Sequence, residues 1–291
     1  MGYTIEIVNN IDEKTELALR HLIKKAFHTT DLLPANFLIN NINSKASQPW
    51  FFLVAKEDGN YIGCNGFIAN DFTLNDRPYV GYQSCWSAID PDHWGKGIFT
   101  SLITEAINIL EKNGAGFLYG IPSENSLPGL IKLGFTETPS LVLRLFNMPF
   151  FRSLYLREGK ISKKNACYIN EQQVLNHKAM QFPLEVSSFE YNNSLAWGKM
   201  IKKTRYGIQF RVFYIGGIQL DREADLEFLF SKIFKTLKVT FIQLSSCGTN
   251  NINSLMKGWK LSKHMKGFVF YNLNMPSIDH FNLMIGTIDV F

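Results

Sequence analysis

The sequence predicts an α+β fold, a mixed and mostly antiparallel sheet flanked by helices, built twice in tandem. Three observations carry this expectation. Apolar stretches of period 2 and period 3.6 follow one another in the order strand, two helices, three antiparallel strands, helix, strand, helix. A glycine pair, Gly95 and Gly97, stands between the last of those three strands and a long amphipathic helix. A faint repeat then links the two halves: the strand AGFLYGIP leads to SENSLPGLIKLGF, and VTFIQLSS leads to CGTNNINSLMKGWKL, so that Gly258-Trp259 falls where Gly134-Phe135 sits.

Taken in order, Tyr3 to Val8 alternates like an edge strand, and Asp12 is placed to cap a helix whose face is Leu19, Leu22, Ile23, Ala26 and Phe27. A looser helical stretch runs from about Asp31 to Asn43. Trp50 to Ala55 and Tyr61 to Ala69 form a strand pair around the turn Lys56-Glu57-Asp58-Gly59-Asn60, and Tyr79 to Ile89 follows the turn Asn75-Asp76-Arg77-Pro78. Ile98, Phe99, Leu102, Ile103, Ala106, Ile109 and Leu110 repeat at helical spacing until Gly114. Gly116 to Ile121 is a strand, the Pro-Ser-Glu-Asn turn leads to a short helix ending in Lys-Leu-Gly-Phe, and Leu141 to Phe146 is expected to close the first sheet, with Pro149 marking a break.

Phe150 to about Glu190 reads as a linking helix plus loops. Ile208 to Ile215 is then a strand, Gly216-Gly217 a turn, Ala224 to Leu237 a helix with Leu226, Leu229, Phe230, Ile233 and Leu237 on one face, Val239 to Leu244 a strand, Asn251 to Lys257 a short helix and Gly267 to Leu273 a strand. The expected domains are 1–149 and 150–291. The second has only Asp221-Arg222-Glu223 before its helix, where acidic residues would repel a pyrophosphate, so it is expected to be catalytically empty and to act as support or acceptor-side wall, with Trp197, Tyr206 and Tyr214 as wall candidates.

Composition narrows the function classes. With 291 residues, 46% hydrophobic residues and 24 Phe, the chain has enough apolar side chains for a sizeable core, which argues against disorder. No apolar run approaches the roughly 18 residues that span a bilayer, the N-terminus lacks a signal layout, and Glu6 stands where an N-myristoylation site wants Ser or Thr, so a cytoplasmic location is expected. Cys64, Cys85, Cys167 and Cys247 lie far apart with no CxxC pair, and the six histidines show no HxH or HExxH spacing; free thiols and no metal site are expected. The net charge of +5 is modest, and the densest basic runs, Lys199-Lys202-Lys203-Arg205 and Lys260-Lys263-Lys266, read as solvated faces, so DNA is not an expected partner.

The glycine pair carries the chemistry. Without Cβ atoms, Gly95 and Gly97 let the backbone approach a ligand closely. The helix behind them offers the unpaired N–H groups of its first turn and the positive end of its dipole, which together suit an anion.

From Tyr79 to Phe135 the order of elements and the residues Ile89-Asp90-Pro91, Gly97 and Gly134-Phe135 resemble the GCN5-related N-acetyltransferase (GNAT) superfamily, with its strand, Val-x-Pro-x-x-(Arg/Gln)-x-x-Gly-x-(Gly/Ala), helix, strand, helix and Gly-Phe. The segment also resembles members from bacterial surface-polysaccharide biosynthesis, in which Pro-Asn-x-x-Ser…Phe-x-Lys-Leu-Gly-Phe recurs. Trp94 departs from Arg or Gln, and Phe99 from Gly or Ala. The resemblance implies acetyl-CoA or another acyl-CoA as co-substrate, its pyrophosphate on the backbone of Gly95, Lys96, Gly97, Ile98, Phe99 and Thr100. It also implies the thioester carbonyl at the N–H of Ile89, and pantetheine within reach of Ser123, which stands in register with the family's Asn; Asn125 is two places out of register and is a candidate helix cap. The family's proton-transfer positions hold Leu130 and Gln83, so Glu124 and Tyr82 are the nearest substitutes, with transfer from a neutral amine through water as the other route.

The resemblance thus implies an N-acyltransferase moving an acetyl or short acyl group to a primary amine on a small molecule, such as an amino sugar or a nucleotide-linked amino sugar. Two alternatives stand beside it: a cell-wall type aminoacyl or peptidyl transferase that uses charged tRNA, and a non-catalytic acyl-CoA-binding protein.

Overall fold

The computed structural model describes residues 2–42, 46–148, 150–158, 160–161, 164–182, 184–248, 250–261 and 267–284. Asn43, Pro149, Lys263 and Lys266, which enter the expectations above, lie outside the described residues.

The chain begins with β1 (Thr4–Val8), α1 (Glu13–Phe27), α2 (Phe37–Ile42), β2 (Phe51–Glu57), β3 (Asn60–Leu74) and β4 (Arg77–Ile89). After a 3-10 turn at Pro91–His93 come α3 (Ile98–Lys112), β5 (Phe117–Gly120), α4 (Leu127–Lys132), β6 (Thr136–Thr138), β7 (Ser140–Phe146) and α5 (Phe151–Tyr155). Next are β8 (Ala166–Ile169), α6 (Glu171–Gln181), β9 (Val186–Tyr191), β10 (Ser194–Arg205), β11 (Ile208–Gln219), α7 (Asp225–Leu237) and β12 (Phe241–Cys247). A 3-10 turn at Asn251–Leu255, β13 (Lys260–Leu261), β14 (Phe268–Asn272) and β15 (His280–Asn282) complete the order.

These elements form two compact units interleaved along the chain: Met1–Asp71 with Tyr79–Glu137 and Val269–Pro276, and Phe72–Pro78 with Thr138–Phe268 and Ser277–Phe291. This differs from a division at 149/150. Strand β7, expected to close the first sheet, pairs antiparallel with β12 over its whole length, from Ser140↔Cys247 to Phe146↔Phe241. Strand β14, expected in the second half, pairs with β5 from Phe117↔Asn272 to Gly120↔Val269. Neither strand joins its partner through a tight turn, so no local turn chemistry names the partner, and packing decides it.

In the first unit the strands run β1-β2-β3-β4-β5-β14-β6. Helix α1 starts where Asp12 Oδ1 accepts from Thr15 N at 2.7 Å and stops at His28 in the left-handed conformation, φ 52°. Its buried face is Leu19, Leu22 and Ile23, whereas Phe27 is exposed. The second expected helix is shorter, α2 alone. Two hairpin turns bend through left-handed pairs, Asp58-Gly59 at φ 50° and 79° and Asn75-Asp76 at 49° and 60°, as two-residue turns between twisted strands require. One sheet face packs on α3 through Ile98, Leu102, Ile103 and Ala106; the opposite face packs on α1 and α2 through Phe52, Val54, Cys64 and Ile68.

In the second unit the six-stranded sheet runs β13-β7-β12-β11-β10-β9, with Leu226, Leu229, Phe230 and Ile233 of α7 in its core. Strand β10 had no expected counterpart, because its lysines mask the alternation of a half-buried hairpin. Its turn, Tyr206-Gly207, is left-handed at both residues, and Tyr206 is exposed. Gly216-Gly217, expected as a turn, lies inside β11 opposite an irregularity between Trp197 and Gly198. A Cβ at Gly216 would stand 2.2 Å from the Trp197 ring, and one at Gly217 would fall on the Glu171 carboxyl, so both glycines make room rather than turn the chain. Trp197 and Tyr214, expected as wall aromatics, are buried, Trp197 fully. The helix expected at Asn251–Lys257 is the 3-10 turn. The repeat itself is visible in the backbone: Gly134 and Gly258 are both left-handed, at φ 92° and 86°. Strands β8 and β15 are parallel neighbours, and β8 also pairs with Phe72–Leu74 of β3.

Candidate active site

The site is built where β4 and β5 part. They are parallel neighbours only over Gly81–Gln83 and Phe117–Tyr119, although β4 continues to Ile89. Trp86, at φ 48° in mid-strand, acts as a bulge. Tyr82 packs on the α3 side and Cys85 on the α1 side; strict alternation would put residue 89 with Cys85, but Ala88 is the one on the α1 side and Ile89 returns to the α3 side.

The end of β4 is therefore aimed. Asp90 N–H bonds to Ile62 O of β3 at 2.9 Å, so the neighbouring amide, Ile89 N–H, points to the opposite side, where β5 has diverged. The Ile89 carbonyl is taken by Trp94 Nε1–H at 3.0 Å. The exposed Trp94 thus folds back over the strand end and leaves an N–H as the donor presented there.

Beyond Trp94 the two expected glycines are both left-handed, Gly95 at φ 78° and Gly97 at φ 74°, and a Cβ on either would meet nothing within 4 Å. Conformation, rather than space, selects glycine here. Gly97 is the N-cap of α3 and contributes no side-chain bond, no acidic residue stands in the first turn, and the helix's own ladder begins at Ser101 N→Gly97 O, 3.0 Å. The amides of Ile98, Phe99 and Thr100 precede that ladder, so they and the dipole are turned toward open space. The Ile98 side chain is buried in the core, Lys96 and Thr100 are exposed, and the Phe99 ring lies 3.5 Å from the position a Cβ on Gly129 of α4 would take. The ring at the family's small-residue position packs against the next helix and leaves the amides clear. A Schellman arrangement ends α3, with Gly114 N→Glu111 O and Ala115 N→Leu110 O.

The loop is braced from α1. Lys25 Nζ reaches Asp90 and Asp92 carboxylates at 2.7 and 2.6 Å, and those bonds hold the Lys25 ammonium above its ordinary pKa. His93 Nε2 meets Glu57 at 2.8 Å, and this bond holds the Glu57 carboxyl below the usual range. After β5, Ser123 and Ser126 tie the turn before α4 together: Ser123 N donates to Ser126 Oγ at 2.9 Å and Ser126 N to Ser123 Oγ at 3.2 Å. The N-cap residue of α4 is Ser126, which makes no side-chain cap bond, and not Asn125. Ser123 and Glu124 are both exposed on that loop.

Tyr82 is placed elsewhere. It lies in the paired part of β4, its hydroxyl donates to Pro49 O at 3.1 Å, and burial pushes it up to about 12, so it is a core residue and not a proton donor at the parted strands. Sequence reasoning missed the Trp94 lock and a polar cluster joining β3 to the open part of β4: buried Asn65 of β3 donates to Ser84 Oγ at 3.0 Å and accepts from Ser87. Short polar residues within an apolar strand were the available signal. Among the described residues no group of three or more His, Cys, Asp or Glu is placed to hold a metal ion, and no helix is long and apolar enough to cross a membrane. All four cysteines are buried.

Residues 17–135 match the model of the Acetyltransferase (GNAT) family. These residues belong to the GNAT family. The fold extends the likeness over both units. A GCN5-related N-acetyltransferase from Anabaena variabilis superposes with a TM-score of 0.62 at 11% identity over 93% of this chain and 73% of that one. One from Kribbella flavida gives 0.60 at 11% over 94% and 72%, and Eis1 from Mycobacterium abscessus 0.59 at 12% over 92% and 74%. No curated protein matches in sequence. The GNAT fold therefore accounts for the parted strands, and N-acyl transfer with an acyl-CoA co-substrate is the family's chemistry.

Proposed function

We propose that the chain moves an acetyl or other short acyl group from coenzyme A to a primary amine of a small molecule. The observation that carries this reading is the pair of left-handed glycines opening α3 beyond the end of β4, where Asp90 N–H is taken by Ile62 O. The pyrophosphate binds the amides of Gly95 to Thr100, with Lys96 adding charge, and the pantetheine arm runs between the parted strands past Ser123. The thioester carbonyl then accepts from Ile89 N–H, which stabilises the oxyanion formed when the amine attacks. The tetrahedral intermediate collapses by expelling the thiolate, and the proton lost by the amine passes to water or to Glu124. Tyr82 has no part in this transfer.

An amino sugar or nucleotide-linked amino sugar is the proposed acceptor, on the strength of the polysaccharide-enzyme resemblance around Pro122 and Lys132-Leu133-Gly134-Phe135, and the cytoplasm is the proposed site of reaction. Thiol release from acetyl-CoA over a panel of amines, together with calorimetry of acetyl-CoA binding, tests the reading. Gly97→Glu puts a carboxylate against the pyrophosphate and should abolish binding in a folded protein; wild-type affinity in that variant would refute the site. Release with no amine in the panel, beside intact binding, would favour a binding protein instead.

A further inference from the structure

The second unit encloses a cavity of about 430 Å³, within the range of small-molecule sites. Its position follows from the topology. β11 and β12 are parallel neighbours only over Val212–Tyr214 and Phe241–Gln243; beyond these β11 continues with β10 and β12 with β7. The cavity lies beyond the carboxyl ends of that pair, lined by Ile218 and Asp221 after one strand and Asn250 and Asn251 after the other. In the first unit the corresponding place holds the glycine loop. Thr73, Tyr168 and Asn282, in register across β3, β8 and β15, form a further wall.

Its chemistry is the reverse of a phosphate site. Asp76, Glu171, Asp221 and Glu223 line it, and among the described residues no Lys, Arg or His does. Glu171 is 3% exposed, its Oε2 accepts from Trp197 Nε1 at 2.9 Å, and the missing side chain of Gly217 gives it room. The donors are partly committed: Asn250 Nδ2 bonds Leu283 O at 2.9 Å. Asn282 Oδ1 accepts from Asn251 N at 2.9 Å, but its Nδ2, shielded from solvent, has no partner among the described residues. A ligand here must bring positive charge to the carboxyls and an acceptor to Asn282.

We infer that this cavity is a second binding site, for a small organic ammonium that also carries a hydroxyl or carbonyl oxygen. An anion such as a nucleotide is excluded by the carboxyls, whereas an ammonium gains charge-assisted hydrogen bonds from them. The site lies wholly in the second unit and does not depend on the acyl transfer proposed for the first, so binding is measured without acyl-CoA.

The test is calorimetry of the full chain with glucosamine, and with N-acetylglucosamine as the neutral relative of similar shape. Glucosamine should bind at least about tenfold more tightly than the neutral sugar, and Glu223→Gln and Asp221→Asn should each weaken it by about tenfold or more, the usual effect of removing one charged partner. Asp221 is exposed at its loop, so that variant stays informative if the Glu223 variant folds poorly. Equal affinity for both sugars, affinity unchanged in both variants, or no heat with glucosamine and ethanolamine at about 10 mM would each overturn the site.

Discussion

Replacing Glu171 by Gln isolates a single titration in the second unit. Burial pushes this carboxyl from 4.5 up to about 8, opposed only in part by the hydrogen bonds of Trp197 and the Ile218 backbone. Below pH 4.5 it is protonated in folded and unfolded chains alike and leaves stability untouched. As the pH rises the unfolded chain releases the proton while the folded chain keeps it, so stability falls with pH until about 8, where the loss is complete. At about 1.4 kcal/mol per pH unit, this shift corresponds to a loss on the order of 5 kcal/mol as an upper bound. Glutamine retains an oxygen for the Trp197 N–H and does not titrate. Urea unfolding of both proteins at several pH values is the assay. The two should agree within about 1 kcal/mol near pH 5, and the variant should be the more stable by about 3–5 kcal/mol at pH 8. Stability curves that stay parallel from pH 5 to 8 would show that Glu171 is ionised in the fold and that the reasoning from burial is wrong.

Other outcomes follow from the first unit. Gly97→Ala should destabilise the chain by about 1 kcal/mol, because its φ of 74° strains an L-residue although the Cβ has room; chemical denaturation measures this. Trp94→Phe removes the donor to Ile89 O and should lower kcat up to about tenfold while leaving the fold intact, read by steady-state kinetics and circular dichroism. Tyr82→Phe should cost about 1 kcal/mol of stability and leave kcat within about twofold, whereas Glu124→Gln should lose at most about 10²–10⁴-fold. The limb of the pH profile of kcat/KM should move with the pKa of the acceptor amine; a limb that stays fixed and vanishes in Glu124→Gln would instead make Glu124 the base.

The first unit was the more legible because its signals are local. Asp12, the turns Asp58-Gly59 and Asn75-Asp76, and Gly95, Gly97 and Gly114 each do chemistry within a few residues of themselves, and each stands where it was read. The bulge at Trp86 carries no such mark, since any residue can be forced left-handed by a sheet around it, yet it turns Ile89 toward the site. Tyr82 was misleading for a related reason: a tyrosine on the right strand looks available until its depth and its bond to Pro49 are seen. In the second unit, Gly216-Gly217 has the composition of a turn, but Trp197 and Glu171 require the space. What local chemistry could not reveal was partnership over distance, as with β7 and β14.

The exchange of those strands bears on how the protein is made. Phe117 waits for Asn272, 272 − 117 = 155 residues later in synthesis, before the fully buried β5 gains its second neighbour. At roughly 5–20 residues per second the ribosome takes about 8–30 s to supply it. During that interval an apolar strand edge is open to any other chain, the usual beginning of aggregation. A nascent chain stopped at residue 149 would keep that edge permanently, so expression of the first 149 residues alone is expected to give insoluble protein, and a fragment carrying Val269–Pro276 in trans should restore its solubility.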